Sequence, residues 1–231
     1  MEYCYTPKQY ISGSSLSIVD EESRHLVRVL RKKAGEKIHV TDGLGNVYEC
    51  EIEKTSRDIT ECIIINSQSN INEPDLKVKL YPALLRNPDR FEFVIEKSVE
   101  LGVKEIQPVI TEFVVNKFTN KTERWNKIAV SAMKQSQRCY LPLINEPVKY
   151  SEAVGTAGGI KLIAHEKYGN RLCEVISDSK NIISLFIGPE GGFSENEIKM
   201  ASDNSFTIVK LSERKFRSET AALVLLSKIL L

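Results

Sequence analysis

Histidine, tryptophan and methionine are scarce in this chain, at three, one and three of 231 residues. The histidines (His25, His39 and His165) share no ligand spacing and no acidic pair completes a set, so the sequence offers no metal centre. The five cysteines (Cys4, Cys50, Cys62, Cys139 and Cys173) are odd in number, widely spaced and form no CxxC, which argues against a disulfide framework. Each reads as a small buried apolar residue in a reducing cytoplasm. Long hydrophobic runs are missing: 182–187 and 223–226 are far too short to span a bilayer. Met1-Glu2-Tyr3-Cys4 lacks the basic and apolar regions of a signal peptide. A dominant charge is missing as well. With 32 basic and 31 acidic side chains the net charge is +1, so local clusters, not the overall field, would have to hold any nucleic acid. What is present, 42% hydrophobic and 27% charged residues, describes a globular protein with a sizeable core and one to two domains.

Two grammars divide the chain. Residues 1–72 read as one small unit, with Asp20 capping a helix that runs to Lys33 and Gly35 as its terminator. Strands are expected at 37–41, 46–53 and 59–65, the first two joined by Asp42-Gly43-Leu44-Gly45. Short strands with tight turns suggest a small β-barrel, and 66–74 (NSQSNINEP) is the candidate linker. From residue 73 onward, apolar strands at 78–84, 106–110, 160–164, 182–187 and 206–211 alternate with helical patterns. Asn87 caps one helix, with Pro88 in its first turn, Phe91, Val94, Ile95 and Ser98 on its inner face and Gly102 at its end. Trp125, Ile128, Ala129, Ala132, Met133 and Ser136 share a face of another. That alternation predicts a parallel sheet covered by helices on both faces.

Gly188-Pro189-Glu190-Gly191-Gly192-Phe193 follows an apolar strand and leads into Ser194-Glu195-Asn196-Glu197, a capping-box pattern. Ligands of α/β sheets bind where such loops leave the carboxyl ends of strands. Read alone, the glycine pair is a tight strand-to-helix turn. No Gly-Lys-Ser/Thr follows, which argues against a P-loop. The segment 211–222 (LSERKFRSETAA) follows the last strand and opens an apolar terminal helix. Alone it is a solvated loop and a helix start.

Together, GPEGGF and LSERKFRSETAA resemble the two cofactor loops of SPOUT methyltransferases. The resemblance is closest to the RsmE family of 16S ribosomal RNA uracil-N(3)-methyltransferases, whose second loop usually reads LGxRILRTETA. HLVRVLRKKAGEKIHVTDGLGN and EKSVELGVKEIQPVITEF are similar to the same family, so the likeness covers nearly the whole chain in order. Ser212 stands where the family usually has glycine, Lys215-Phe216 replaces an aliphatic pair, and Gln137 replaces a common glycine. The resemblance implies an α/β fold: a C-terminal SPOUT-type parallel sheet with a trefoil knot (73–231) and an N-terminal PUA-like β-barrel that binds RNA (1–72). It implies S-adenosyl-L-methionine held by Ala164, His165 and Glu166, by Gly188, Pro189, Glu190, Gly191 and Gly192, and by Leu211, Ser212, Arg214, Phe216 and Ala221. It implies a homodimer with the cofactor near the interface, and 16S ribosomal RNA in an assembled small subunit as the partner. The apolar terminal helix is the candidate interface element.

Methylating uracil N3 requires removing its proton and stabilising charge that spreads onto the flanking carbonyls. Arg217 is the first candidate for that stabilisation and Arg138, supplied across the dimer, the second. Glu190 and Glu219 are candidate proton acceptors, Glu219 being equally a helix-dipole partner. Arg24, Arg28 and Arg31 recur at helical spacing, and with His25 and Lys32 they form the candidate RNA-binding face. A solvated charged surface is the alternative. Leu26, Val29 and Leu30 of the same helix read as core. Two further functions stay open: a ribose 2′-O-methyltransferase of the same superfamily, and a catalytically silent RNA-binding assembly factor.

Overall fold

The computed structural model describes residues 2–114, 121–170 and 182–231. Cys173, read above as a buried thiol, lies outside the described residues. Contacts divide the chain into two compact units, Met1–Glu73 with Val130–Leu141, and Pro74–Ala129 with Pro142–Leu231. A single break near residue 72 describes less than this, because 130–141 also belongs to the first unit. Backbone bonds explain the return: Tyr3 N–H donates to the Lys134 carbonyl, Gly45 N–H to Cys139 and Leu141 N–H to Gly43. Tyr3, Val47 and Cys139 pack together beneath them.

In the first unit, β1 (Cys4–Tyr5), β2 (Ile11–Ser12), β3 (Ser15–Val19), β4 (Lys37–Thr41), β5 (Asn46–Thr55) and β6 (Ile59–Ser69) form a six-stranded sheet. Its order is β1-β4-β5-β6-β3-β2. The β1–β4 pair is parallel and the other pairs are antiparallel. Alternate residues Leu16, Ile18, Ile38, Val40, Cys50 and Ile52 turn to one core, as the two-residue strand period requires. β6 continues through Ser69, so the first half of the expected linker is strand. The polar run Asn66–Ser69 stays extended because its backbone pairs with Asn46–Glu49.

The helix expected from Asp20 to Lys33 is cut short. A five-residue α-helix, α1 (Asp20–Arg24), passes into a π-helical turn at His25–Val29, and Arg31 has a left-handed φ of 54°. Asp20 itself starts the helix and its side chain makes no capping bond within it; Val19 holds the cap position. A π-turn is wider than an α-turn, so the 3.6-residue spacing no longer predicts the inner face. Leu26 is buried at 1% exposure, but Val29 and Leu30 are 64% and 47% exposed, contrary to their expected place in the core.

The second unit contains β7 (Lys77–Pro82), α2 (Pro88–Glu100), β8 (Glu105–Ile106), β9 (Val109–Ile110) and the start of α3 (Thr122–Gln135). It continues with β10 (Leu143–Ile144), β11 (Val148–Lys149), α4 (Tyr150–Thr156), β12 (Ile160–Ala164), β13 (Ile182–Ile187), α5 (Glu195–Asp203), β14 (Thr207–Val209) and α6 (Ser218–Leu230). The parallel sheet runs β10-β8-β7-β13-β12-β14. The strand expected at 106–110 is two strands, because Pro108 lacks the N–H a continuous ladder needs; β9 pairs with β11 instead.

Two rungs show how the sheet is covered. Tyr81, Phe186 and Ile163 lie side by side and bury themselves against Tyr150, Ala153 and Val154 of α4 and Ile198 and Ala201 of α5. The next rung, Leu80, Leu185 and Leu162, faces the other way and is fully buried. On the helical side, α2 packs on α6 and α6 on β13. Asn87 caps α2 as expected, its side-chain oxygen accepting from Asp89 N–H at 2.8 Å. Among the described residues, no helix is long and apolar enough to cross a membrane. Cys4, Cys50, Cys62 and Cys139 are buried thiols outside any disulfide. Burial pushes the thiols of Cys4, Cys50 and Cys62 up to about 12, so none is a nucleophile at neutral pH.

Candidate functional site

Because β12, β13 and β14 are parallel, the loops that follow them leave the same edge of the sheet. Together with Ala221, the segments 164–167, 187–193 and 211–218 line a cavity of about 360 Å³, with Glu213 outside it. Every residue expected to hold the cofactor lies there: Ala164, His165 and Glu166; Gly188, Pro189, Glu190, Gly191 and Gly192; Leu211, Ser212, Arg214, Phe216 and Ala221. Lys167, Ile187, Phe193, Lys215, Arg217 and Ser218 complete the lining.

Local bonds fix each loop. Gly192 has a φ of 74° and its N–H donates to Pro189 O at 2.9 Å, closing a turn that needs glycine there. The capping box is formed: Ser194 Oγ accepts from Glu197 N–H at 3.3 Å and the Glu197 carboxylate from Ser194 N–H at 2.9 Å. The same carboxylate takes Glu112 N–H at 2.9 Å. Ser212, in place of glycine, is not left-handed; its Oγ accepts from Arg214 N–H at 3.0 Å and closes the loop itself. His165 N–H donates to Val209 O at 2.9 Å, tying the first loop to β14.

The cavity carries charge of both signs. Lys215 lies 2.7 Å from Glu166 and its hydrogen bond holds that carboxyl below the ordinary value. Partial burial holds the His165 imidazole below its usual 6.5, with Lys167 adding to the effect and Glu166 opposing it. Its Nδ1 accepts from Lys167 N–H at 3.2 Å, which requires that nitrogen to be unprotonated.

The four candidates for chemistry separate. Arg217 lines the cavity, exposed at the start of α6, and Glu190 lines it too, its carboxylate accepting from the Arg86 backbone N–H at 3.2 Å. Glu219 does not reach it. Its side chain is 13% exposed, one oxygen lies 3.7 Å from Arg90 Nε, and the other is buried without a hydrogen-bond partner among the described residues. Arg138 belongs to the first unit, 2% exposed, with its guanidinium 2.8 Å from Glu73. Glu73 also accepts from the Cys139 and Tyr140 N–H groups at 3.1 Å. A buried pair so engaged is a structural clamp rather than a group positioned for substrate.

The basic face is smaller than its sequence. Arg24 pairs with Asp58 at 2.7 Å, Lys32 with Glu36 at 2.8 Å and Lys37 with Glu49 at 2.9 Å. Arg28 and Arg31 are exposed beside Val29 and Leu30, and neither forms an ion pair among the described residues. A second cavity of about 580 Å³ is lined by Leu84, Arg86, Asn87, Arg90, Phe113, Val114, Glu190 and Gly191. Sequence reasoning took Asn87 only as a cap and passed over Arg90, although a charged residue off the apolar face of α2 was a signal.

A model of the RNA methyltransferase domain matches residues 72–230, and one of the RNA methyltransferase PUA domain matches 18–65. The chain is 31% identical over 230 residues to ribosomal RNA small subunit methyltransferase E of Synechocystis, covering 96% of this chain and 75% of that one. The chain belongs to the ribosomal RNA small subunit methyltransferase E family. Its Mesomycoplasma hyopneumoniae member is 39% identical over 171 residues, 71% of this chain and 74% of its own. The structure of the Neisseria gonorrhoeae member bound to S-adenosyl methionine superposes with a TM-score of 0.91 at 32% identity, over 99% of this chain and 96% of that one. Gln137 has a left-handed φ of 57°.

Proposed function

We propose that this chain uses S-adenosyl-L-methionine to methylate N3 of a uridine in the 16S RNA of the small ribosomal subunit. The observation that carries this is one cavity at the carboxyl edge of β12, β13 and β14, in a chain whose fold matches a cofactor-bound relative along nearly its whole length. The residues fit the cofactor. The volume of about 360 Å³ lies within the range of small-molecule sites, and Ile187, Leu211, Phe216 and Ala221 offer apolar wall between loop backbones. The carboxylates of Glu166 and Glu190 suit a cationic ligand with hydroxyl groups. When bound, the cofactor supplies an electrophilic methyl group, which N3 takes with its lone pair as the carbon–sulfur pair returns to sulfur.

Within this reading, Glu190 receives the N3 proton and Arg217 stabilises negative charge on the uracil carbonyls. The PUA region (18–65), with Arg28 and Arg31 foremost in the basic face of Arg24, His25 and Lys32, holds RNA phosphates. The N-terminal sheet closes as a PUA-like barrel, the C-terminal domain carries the trefoil knot of SPOUT enzymes, and two chains pair as a homodimer. Nucleoside mass spectrometry of 16S RNA from cells lacking this protein, with and without its re-expression, tests the activity. Loss and recovery of N3-methyluridine is expected. Loss of a 2′-O-methyl nucleoside instead would assign a different acceptor atom.

A further inference from the structure

We propose that the second cavity, between 84–90 and 113–114, seats the target uracil, with Arg90 as the cation facing it. This rests on the methyltransferase reading above and names the acceptor subsite of that site. Three observations carry it.

The first is position. β7 lies beside β13 in the sheet and runs parallel to it, so the loop after β7 leaves the same edge as the cofactor loops. The second cavity opens there, and Glu190 and Gly191 line both chambers. An acceptor nitrogen must approach a methyl carbon from the side opposite its leaving group, so acceptor and cofactor need adjoining chambers rather than one.

The second is the sign of the hydrogen-bonding groups. Arg86 and Arg90 are donors only. The Asn87 side-chain oxygen is committed to the Asp89 N–H, which leaves its amide to present NH₂. Uracil carries carbonyl acceptors on both sides of N3, whereas cytosine places an amino donor on one of them. A donor-rich wall accepts the first and repels the second. Phe113, 46% exposed, adds a ring face, and its side chain lies directly over Gly191, where an added Cβ would come within 3.2 Å of Phe113 Cβ. Glu190, fixed by Arg86 N–H, is the acceptor at the shared wall, suited to the proton that N3 must lose.

The third is support. Arg90 is held at 3.7 Å by Glu219 in the first turn of α6, two residues beyond Arg217. Glu219 is thus a positioning residue: it aims a cation at the acceptor chamber from the element that follows the cofactor loop.

The test uses the full chain with short oligouridylate and oligocytidylate as probes. Ultraviolet crosslinks of oligouridylate should map to Phe113 or to 84–90, and oligocytidylate should crosslink there less. Arg90→Met should leave cofactor affinity by calorimetry within about twofold, equalise the two probes, and lower single-turnover methylation of unmethylated small subunits roughly 100-fold. Phe113→Leu, on an exposed side chain, should weaken oligouridylate crosslinking with cofactor binding intact, and Glu219→Gln should lower turnover less than Arg90→Met. Crosslinks confined to other segments, or a wild-type rate in Arg90→Met, would overturn the proposal. A wild-type chain that neither binds S-adenosylmethionine nor methylates would overturn the reading beneath it as well. Cofactor binding lost in Arg90→Met and in Phe113→Leu would overturn the proposal by showing the chamber to belong to the cofactor.

Discussion

A guanidinium that is 2% exposed and clasped by a carboxylate cannot follow a reacting base, and this separates Arg138 from Arg217. Replacing Arg138 with alanine leaves Glu73 charged and buried, at a cost of about 3–5 kcal/mol. Urea unfolding should show that loss, whereas Arg217→Ala should unfold normally and instead turn over roughly 100-fold more slowly at saturating RNA. His165 supplies a pH dependence. Its folded value lies below 6.5, so between that value and 6.5 the unfolded chain binds more protons and stability rises with pH. The contribution is complete above 6.5 and lost on acidification. Lowering the pH from about 7.5 to about 5.5 should therefore reduce the thermal midpoint, and His165→Asn should flatten that response. Gly191 is sensitive for a reason the sequence did not reveal. A side chain there crowds Phe113, so Gly191→Val should disturb the second cavity as well as cofactor binding, and calorimetry beside oligouridylate crosslinking measures both.

At the scale of elements, what the sequence made legible is what local chemistry decides. Asn87 with Pro88, and Ser194 with Glu197, announce helix starts because the capping groups lie within a few residues of the bonds they make. The loops at strand ends, each readable alone only as a turn, were grouped by the family resemblance, and the residues it named line one cavity. Pairings distant in sequence were not: Glu73 on Arg138, Glu219 on Arg90 and the chamber beneath Phe113 leave no periodic trace. The turn at His25–Val29 failed differently, since nothing in HLVRV distinguishes a π-turn from an α-turn, and the extra width moved Val29 and Leu30 outward. It also changes which arginines matter. Arg28→Ser with Arg31→Ser should weaken RNA binding and flatten its salt dependence by about one unit of slope for each phosphate no longer neutralised. Arg24→Ser should do less, because Asp58 already engages that guanidinium, and filter binding at several salt concentrations distinguishes them.

For the whole molecule, α6 turns Ala222, Leu225, Leu226 and Ile229 inward and leaves Leu223, Val224 and Leu230 half-buried. A second copy would cover that remaining apolar strip, so light scattering should return the mass of a dimer at micromolar concentration, and Val224→Glu should shift it towards the monomer. The strand β13 has a wider consequence. It sits inside its sheet with a neighbour on each side, and the peptide that leaves it at Glu190-Gly191 faces a chamber on either hand. A partition common to two rooms cannot shift for one tenant alone. Cofactor and RNA should therefore report on each other reciprocally: whatever factor saturating RNA applies to cofactor affinity, saturating cofactor must apply to RNA affinity. Spent cofactor, which has lost both its methyl group and its positive charge, would then loosen the grip on RNA without any separate release device.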